Sequence, residues 1–332
     1  MRPYIQDKSV LLSEQFNYGH REILIASNQL KPNTLFSCSV QHGWFGDYTG
    51  VKPIFNKLQR PYPRLVWSTR VKEALLKTKS GTPIVTGAPW VHLLRACKID
   101  PTKFFDGLQS EKPKTARLLV FPNHSIAGVA TSHQLNLELL ISEFSPDSIT
   151  VCLYWLDFID PMVRSYYLAL GCQLVCVGYR GGSGKETPWA TDGGRVMFLP
   201  ELLKIIEAHD FVAVSEVSTS FWYAISLRKA VLILDGHETR KIWHKNQGEP
   251  EIEIFTNSKI NSNGEVFPFP LKHRLEVDQG ILDLALSELG WEHSKNFIEV
   301  CEKHAILIES NLSSQLSSQI NDFIDNRSQM NA

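Results

Sequence analysis

The sequence has almost no net charge, no long apolar run and no paired cysteine motif. Its 34 basic and 35 acidic residues leave a formal charge of −1, so no global field attracts nucleic acid or an anionic membrane. No stretch approaches the ~20 apolar residues that a membrane-spanning helix needs, and the first residues do not read as a secretory signal. These absences favour a cytoplasmic protein that does not bind nucleic acid.

The six cysteines show no CxxC spacing, which argues against a zinc site and a disulfide framework. Most of them lie inside apolar runs, so we expect buried, reduced thiols. Asp157 and Asp160 are not spaced like the two acidic residues of a DxD metal grip. We therefore predict that the protein needs no divalent metal and no other cofactor.

Short apolar runs alternate with segments of helical periodicity. The 332 residues suffice for two domains of ordinary size, and 43% of them are apolar. The runs are continuous rather than alternating, as expected of parallel strands that are buried on both faces. They lie at 34–40, 64–69, 82–87, 116–121, 149–155, 172–179, 211–215 and 230–234. This order predicts an α/β protein with two Rossmann-like halves.

A polar segment with two prolines, 97–115, separates two series of strands and is the candidate linker. We predict a first Rossmann-like domain at 1–112 and a second at 113–295. The helical stretch 296–324 is expected to cross back to the first domain, so that 296–332 completes it. The final residues, 325–332, are expected to be frayed.

The segment "VGYRGGSGKET" (177–187) resembles a phosphate-binding P-loop but lacks two of its defining residues. Tyr179 stands where the pattern needs glycine, and Glu186 stands where it needs serine or threonine. A nucleotide phosphate must therefore be held elsewhere. Gly178 and Arg180 remain candidates for contacting a donor phosphate, and a solvated turn is the alternative explanation.

Two loops that follow predicted strands carry histidine. The first, "QHGWFGDYTG" (41–50), offers Asp47 or His42 as a general base beside three glycines, although an ordinary capped turn explains the pattern equally well. In the second, "FPNHS" (121–125), His124 and Ser125 follow a buried strand. A hydrogen-bond donor at that position can stabilise an anionic leaving group. The alternative is that His124 has only a structural role.

A cluster of hydroxyls marks the start of a predicted helix in "DFVAVSEVSTSFWYAISLRKAVLIL" (210–234). Ser218, Thr219 and Ser220 lie where the backbone amides of the helix have no carbonyl partner within the helix. The helix dipole favours negative charge at this end, so the segment predicts a phosphate site. Plain capping of the helix explains one of the three hydroxyls.

These three stretches, "QHGWFG", "FPNHS" and the segment 210–234, together resemble the GT-B glycosyltransferases of bacterial capsule and lipopolysaccharide synthesis. The resemblance is greatest to the transferases that use CMP-linked ulosonic acids such as sialic acid, Kdo and pseudaminic acid. It implies two Rossmann-like domains that face a central cleft, with 1–112 taking the acceptor and 113–295 taking the nucleotide sugar. It also implies metal-independent, inverting transfer from a nucleotide sugar to a glycan acceptor, in the cytoplasm or at the inner face of the membrane.

The resemblance implies a role for each candidate residue. His124 matches the histidine of a His-Pro motif that holds the CMP phosphate, although Ser125 replaces the proline. Ser218 and Thr219 match the Ser/Thr pair on the same phosphate, and Asp47 is the best match to the acceptor base. Three alternatives remain open: a UDP-sugar transferase of the same fold, a hydrolysing UDP-N-acetylglucosamine 2-epimerase, and a non-catalytic partner protein.

Overall fold

The computed structural model describes most of the chain, in segments that contain every strand and helix named below. These segments are 15–44, 63–77, 81–103, 116–124, 129–131, 137, 141, 145–178, 196–215, 217–234, 237–242, 251–256, 274–309 and 317–331. The chain divides into two compact units. Unit 1 comprises 1–102, 178–201 and 283–332, and unit 2 comprises 103–177 and 202–282.

The described helices are α1 (His20–Ser27), α2 (Thr69–Lys77), α3 (Pro89–Ala96), α4 (Trp155–Ile159), α5 (Pro161–Ala169), α6 (Phe198–Glu207), α7 (Thr219–Ser226), α8 (Gln279–Leu289), α9 (Phe297–Lys303) and α10 (Ser317–Met330). The described strands are β1 (Thr34–Phe36), β2 (Ser39–Val40), β3 (Pro63–Val66), β4 (Thr82–Val85), β5 (Arg117–Phe121), β6 (Val129–Thr131), β7 (Ser148–Cys152), β8 (Gln173–Val175), β9 (Phe211–Val214), β10 (Ala230–Ile233), β11 (His237–Ile242), β12 (Glu251–Thr256), β13 (Arg274–Leu275) and β14 (Leu307–Glu309). Short 3-10 turns at Asn17–Gly19 and Glu292–Asn296 precede α1 and α9.

Unit 2 is built on a six-stranded sheet in the order β13-β10-β9-β5-β7-β8. The five strands from β10 to β8 are parallel, and β13 pairs antiparallel with β10 at the edge. Along the chain, β5 comes first and lies in the middle. β7 and β8 then extend the sheet to one side of it, and β9 and β10 extend it to the other. This is the Rossmann arrangement, and it confirms the predicted α/β class with a parallel sheet.

The middle strands of this sheet are buried on both faces. Leu118, Leu119 and Val120 of β5 are at most 2% exposed, and Val151 of β7 and Ala213 of β9 are fully buried. Consecutive residues of a strand point to opposite faces, so an uninterrupted apolar run is the pattern that such a strand requires. The continuous runs in the sequence therefore predicted these strands correctly.

A second sheet in unit 2 was not predicted. β6, β11 and β12 form an antiparallel sheet in the order β12-β11-β6. The sequences "HETRKI" and "EIEIFT" mix charged and apolar residues, so a search for continuous apolar runs passes over them. β6 is only three residues long, Val129–Thr131, which is too short for a recognisable run.

Unit 1 contains the parallel sheet β2-β3-β4 and the antiparallel pair β1-β14. The single strand predicted at 34–40 is wrong, because Ser37 and Cys38 separate β1 from β2. The Ser37 amide donates to the Ile306 carbonyl at 2.9 Å, which continues the pairing of β1 with β14. Residues 34–40 therefore contribute strands to two different sheets, and their composition does not indicate this division.

The C-terminal part of unit 1 corrects two further predictions. The stretch 296–324 is not one helix, because β14 lies between α9 and α10. The last residues are not frayed as predicted, since α10 continues to Met330 and packs against α1 and α3. Ile320 and Phe323 of α10 are buried, and the Asn331 side chain donates to the Cys97 carbonyl at 3.0 Å. These contacts fix the end of the chain.

Two glycines bring backbone segments of unit 1 into direct contact. Gly87 follows β4 with a φ of 82°, and Gly290 follows α8 with a φ of 70°. A Cβ on Gly290 would lie 1.8 Å from the Trp67 carbonyl oxygen, and a Cβ on Gly87 would lie 2.8 Å from the Gly290 carbonyl oxygen. The Ala88 amide also donates to the Leu289 carbonyl at 2.8 Å. Only glycine fits at this crossing.

A buried histidine joins α1 to α3. His92 of α3 is 2% exposed, and its Nε2 lies 2.9 Å from the Thr86 carbonyl oxygen. Its Nδ1 lies 3.1 Å from the Asn28 side-chain nitrogen, so the neutral ring donates through Nε2 and accepts through Nδ1. Burial lowers the pKa of His92 to about 4, despite the favourable bond to Thr86.

We predict that Gly290→Ala destabilises the protein much more than Gly171→Ala. Both glycines have a positive φ, but a Cβ on Gly171 meets nothing within 4 Å. Gly171→Ala should therefore cost about 1 kcal/mol for the left-handed backbone. Gly290→Ala adds a backbone clash and should cost about 3 kcal/mol or more in the free energy of unfolding. Urea unfolding followed by tryptophan fluorescence measures both, and equal midpoints for the two variants would contradict this packing.

We predict that His92 makes the protein less stable as the pH falls from about 6.5 to about 4. The unfolded chain takes up the proton near pH 6.5, whereas the folded chain resists it until about pH 4. This contribution, about 3 kcal/mol, is fully present above pH 6.5 and is lost toward pH 4.

The matched variant is His92→Gln, which keeps a donor and an acceptor but does not titrate. Its free energy of unfolding, measured by urea at a series of pH values, should fall less steeply over this interval than that of the wild-type protein. Parallel curves would show that His92 is not the source. His209, whose pKa burial also lowers, contributes equally to both proteins and cancels.

Candidate functional site

The candidate site of unit 2 lies where the strand order changes direction. β5 and β9 are adjacent and parallel, with Phe121 opposite Val214 at their carboxyl ends. The next parallel strand after β5 is β7, which lies beside β5 away from β9, and the next after β9 is β10, which lies beside β9 away from β5. In open parallel sheets, ligands bind in the crevice just beyond such a pair of strand ends.

Hydrogen bonds hold β5 and β9 in register at both ends. At the amino ends, the Asp210 carboxylate accepts from the Arg117 amide at 2.9 Å, and the Asp210 amide donates to the Arg117 carbonyl at 2.9 Å. At the carboxyl ends, the buried Ser215 hydroxyl oxygen accepts from the Asn123 amide at 3.2 Å. The loop that carries His124 is thereby tied to the strand end that leads into α7.

The start of α7 presents paired hydroxyls. Ser218 is extended, with φ −136° and ψ −174°, and its side chain makes no capping hydrogen bond to the helix. Its hydroxyl instead shares a hydrogen bond of 3.0 Å with the Ser220 hydroxyl. Ser218, Thr219 and Ser220 are half-buried, whereas the rest of α7, from Phe221 to Ser226, is buried.

This geometry bears directly on the alternative in which Ser218 is a plain capping residue. A capping serine would accept a hydrogen bond from an amide of the first helical turn. The Ser218 side chain does not do so, which leaves the two hydroxyls together at the positive end of the helix dipole. The buried part of α7 fixes the direction of that dipole. The arrangement suits an anion.

His124 lies in the loop after β5 and is exposed to solvent. Its ring stacks on Tyr154, with the ring centroids 4.5 Å apart and the planes inclined by 35°. Tyr154 follows the carboxyl end of β7, the strand beside β5, at the N-cap position of α4. Residues after three neighbouring strands, β7, β5 and β9, therefore line one edge of the sheet.

Tyr154 was missed by the sequence analysis. The predicted strand ran from 149 to 155 and hid this residue inside it, whereas β7 ends at Cys152. The sequence does contain a helix-start signal shortly after it, because Asp160 followed by Pro161 is a typical N-cap and first helical residue. Asp160 indeed caps α5, accepting from the Met162 amide at 2.8 Å, but the short helix α4 precedes it.

Three predicted site residues, Asp47, Ser125 and Arg180, lie outside the residues that the structure describes. Gly178 is described. It ends the segment after β8 with a φ of 111°, in the left-handed region that favours glycine. By its contacts Gly178 belongs to unit 1, while His124 and Ser218 belong to unit 2.

His42 lies in unit 1, directly after β2, and is half-buried. Its neighbour Gln41 is buried and ties β2 to β3: its side-chain oxygen accepts from the Trp67 amide at 2.9 Å, and its backbone carbonyl accepts from the Trp67 indole at 3.0 Å. Hydrogen bonds thus fix the backbone on the N-terminal side of His42 at the carboxyl end of the parallel strands.

A buried ion pair fixes the other side of this loop. The Glu288 carboxylate accepts from the Trp44 indole at 2.5 Å and from the Arg70 guanidinium at 2.6 Å. The Arg70 guanidinium also lies 5.5 Å from the centroid of the Trp44 ring. Because Glu288 is 4% exposed, these partners are needed to keep its charge buried. The group anchors residue 44 and not a ligand.

Within the described segments, no group of three His, Cys, Asp or Glu residues is placed to hold a metal ion. Five of the six cysteines are buried, and Cys176 is half-buried. Burial raises the pKa of the Cys152 thiol to about 12. The chemistry available at the described edge of unit 2 is therefore hydrogen bonding by hydroxyls, amides and one imidazole.

Comparison with known proteins gives little further information. No family model matches the sequence, and no curated protein matches it. Among solved structures, the chain is similar to a UDP-GlcNAc 2-epimerase from Neisseria meningitidis, in a crystal structure bound to UDP-GlcNAc. That likeness has a TM-score of 0.33 and 16% sequence identity, and it covers 71% of this chain and 59% of that one. At this TM-score the proposed function depends on the residues of unit 2 and not on the likeness.

Among the described residues, no helix combines the length and the apolar character needed to cross a bilayer.

Proposed function

We propose that this protein is a metal-independent, inverting glycosyltransferase of the GT-B type, with a CMP-linked ulosonic acid as the favoured donor and a glycan as the acceptor. One observation carries the proposal. The hydrogen bond between Asn123 and Ser215 holds the loop of His124 beside the strand end that leads to Ser218 and Ser220. These residues follow the two strands between which a Rossmann sheet binds its ligand.

In this mechanism, unit 2 holds the phosphate that leaves the donor. The Ser218 and Ser220 hydroxyls and the first amides of α7 donate to the phosphate oxygens, with the helix dipole directed at the same charge. His124 donates from its imidazole as negative charge develops on the departing oxygen. These donors are in place before the reaction, so little reorganisation opposes the cleavage of the glycosidic bond.

The composition of this edge favours a monophosphate leaving group. No lysine or arginine occurs in the sequence 122–128 or in 215–220. A diphosphate leaves with more negative charge and commonly draws on cationic side chains or a metal ion. Hydroxyls, amides and one imidazole match the smaller charge of CMP, which is why we favour a CMP-sugar over a UDP-sugar.

The acceptor side of the mechanism is proposed from the sequence. Asp47, or else His42, removes the proton of the acceptor hydroxyl while the anomeric carbon gains oxocarbenium character. Attack from the face opposite the phosphate inverts the configuration. Two further points stay predictions. The first is that the domain boundaries lie at 112/113 and 295/296 and that residues 296–332 return to the first domain. The second is that the donor is contacted by Ser125, Thr219, Gly178 and Arg180.

We predict that CMP raises the melting temperature of the wild-type protein more than UDP or GDP does, because bound ligand stabilises the folded state. Replacing both Ser218 and Ser220 by alanine, or His124 by glutamine, should remove most of this rise. If a CMP-sugar and acceptor that support transfer are found, each change should lower the rate on the order of 100-fold.

The matched control is Ser226→Ala, at the other end of α7. Ser226 is fully buried, and its hydroxyl donates to the Tyr223 carbonyl at 2.7 Å within the same helix. This variant should have a lower melting temperature but the same rise with CMP. If the Ser218/Ser220 variant keeps the wild-type response to CMP, the phosphate is not held at α7.

Other results of the same screen would point to the alternatives. A larger rise with UDP favours a UDP-sugar transferase. Turnover of UDP-GlcNAc without any acceptor favours the hydrolysing 2-epimerase. The absence of a rise with CMP, UDP, GDP and CDP favours a non-catalytic partner protein.

A further inference from the structure

We propose that Tyr154 is a positioning residue that holds the imidazole of His124 toward the phosphate site. The inference rests on the proposed function and names a residue that the sequence motifs do not include. Its basis is the stacked pair of rings, 4.5 Å between centroids, at the carboxyl edge of the unit 2 sheet. Neither residue belongs to the buried apolar core of unit 2.

The backbone of Tyr154 is held on both sides. The preceding residue, Leu153, is buried, and its amide donates to the Val175 carbonyl at 2.9 Å, which extends the pairing of β7 with β8. The Tyr154 carbonyl accepts from the Phe158 amide at 2.9 Å as α4 begins. The ring therefore projects from a fixed junction between a core strand and a helix.

The ring of Tyr154 also has an aromatic neighbour besides His124. Trp155 lies with its ring centroid 6.1 Å away and its plane inclined by 58°, within the range in which aromatic rings attract each other. Both Tyr154 and Trp155 are half-buried. Tyr154 can thus serve as a support, because its own position does not depend on His124.

The contact with Tyr154 restricts a histidine side chain that lies in solvent. His124 is exposed, and an exposed side chain exchanges rotamers on the picosecond to nanosecond scale unless a contact selects one. The hydrogen bond from the Asn123 backbone amide to the Ser215 hydroxyl fixes the backbone just before His124, but it does not fix the imidazole. Packing against Tyr154 limits the rotation of the imidazole.

A donor that is already oriented loses less freedom when it grips a ligand. Tyr154 should therefore act on affinity through His124 rather than through a contact of its own. That distinction can be measured. Changes at two residues that act as one unit are not additive, whereas changes at independent residues are.

The experiment combines nuclear magnetic resonance with nucleotide titration on the full chain. Imidazole signals are recorded for the wild-type protein, Tyr154→Phe and Tyr154→Leu, and the signal of His124 is assigned by its loss in His124→Gln. The aromatic ring current should shift that signal upfield in the wild-type protein and in Tyr154→Phe. In Tyr154→Leu the signal should move to the position of a solvated histidine.

CMP affinity is then measured for the same proteins. Tyr154→Leu should weaken CMP binding about 10-fold, and Tyr154→Phe should retain it, because the ring and not the hydroxyl makes the stack. In the His124→Gln background, Tyr154→Leu should have almost no further effect. Tyr166→Leu is the control for the loss of a half-buried tyrosine in unit 2, since Tyr166 packs on Tyr167 instead.

Two results would overturn the inference. The first is an imidazole signal for His124 that is the same in the wild-type protein and in Tyr154→Leu. The second is an equal loss of CMP affinity from Tyr154→Leu with and without His124, which would mean that Tyr154 contacts the nucleotide itself. If CMP does not bind the wild-type protein, the proposed CMP-transferase function fails, and the nuclear magnetic resonance spectra alone decide whether Tyr154 orients His124.

Discussion

The parallel pairing of β5 with β9 is the constraint on which the candidate site depends. Strands that are buried on both faces have no polar face to define their register, so apolar pattern alone specifies their alignment weakly. Hydrogen bonds at the two ends of β5 and β9 specify the register that the apolar middle does not. Arg117 and Asp210 join the amino ends, and Asn123 and Ser215 join the carboxyl ends. The alignment that these bonds select also brings His124 and Ser218 to one edge.

The sequence predicted most of unit 2 because each signal there is local. Buried parallel strands require continuous apolar runs, and β5, β7, β9 and β10 were found from them within a few residues. The start of α7 was predicted from hydroxyl residues before an apolar stretch. Proline, which is common at the first helical position, stands first in two other helices, at Pro89 and Pro161. The candidate phosphate residues were found in the same way, from their place after a strand.

Features that depend on distant residues escaped the sequence analysis. β1 ends where it does because it pairs with β14, far along the chain, and the run 34–40 contains no sign of that partner. Tyr154 became visible only when β7 was seen to end at Cys152. The sheet of β6, β11 and β12 depends on pairing between segments that look polar one at a time. Three of the predicted site residues lie outside the described part of the chain, so their roles stay predictions.

The interleaving of the two units has a consequence for biosynthesis. Along the sequence, unit 2 lies between stretches of unit 1, and β1 pairs with β14, which is synthesised after all of unit 2. Domains generally fold as they are synthesised. β1 must therefore remain without this partner while the whole of unit 2 is being made. An unpaired strand edge in a nascent chain is a site at which aggregation or chaperone binding can begin.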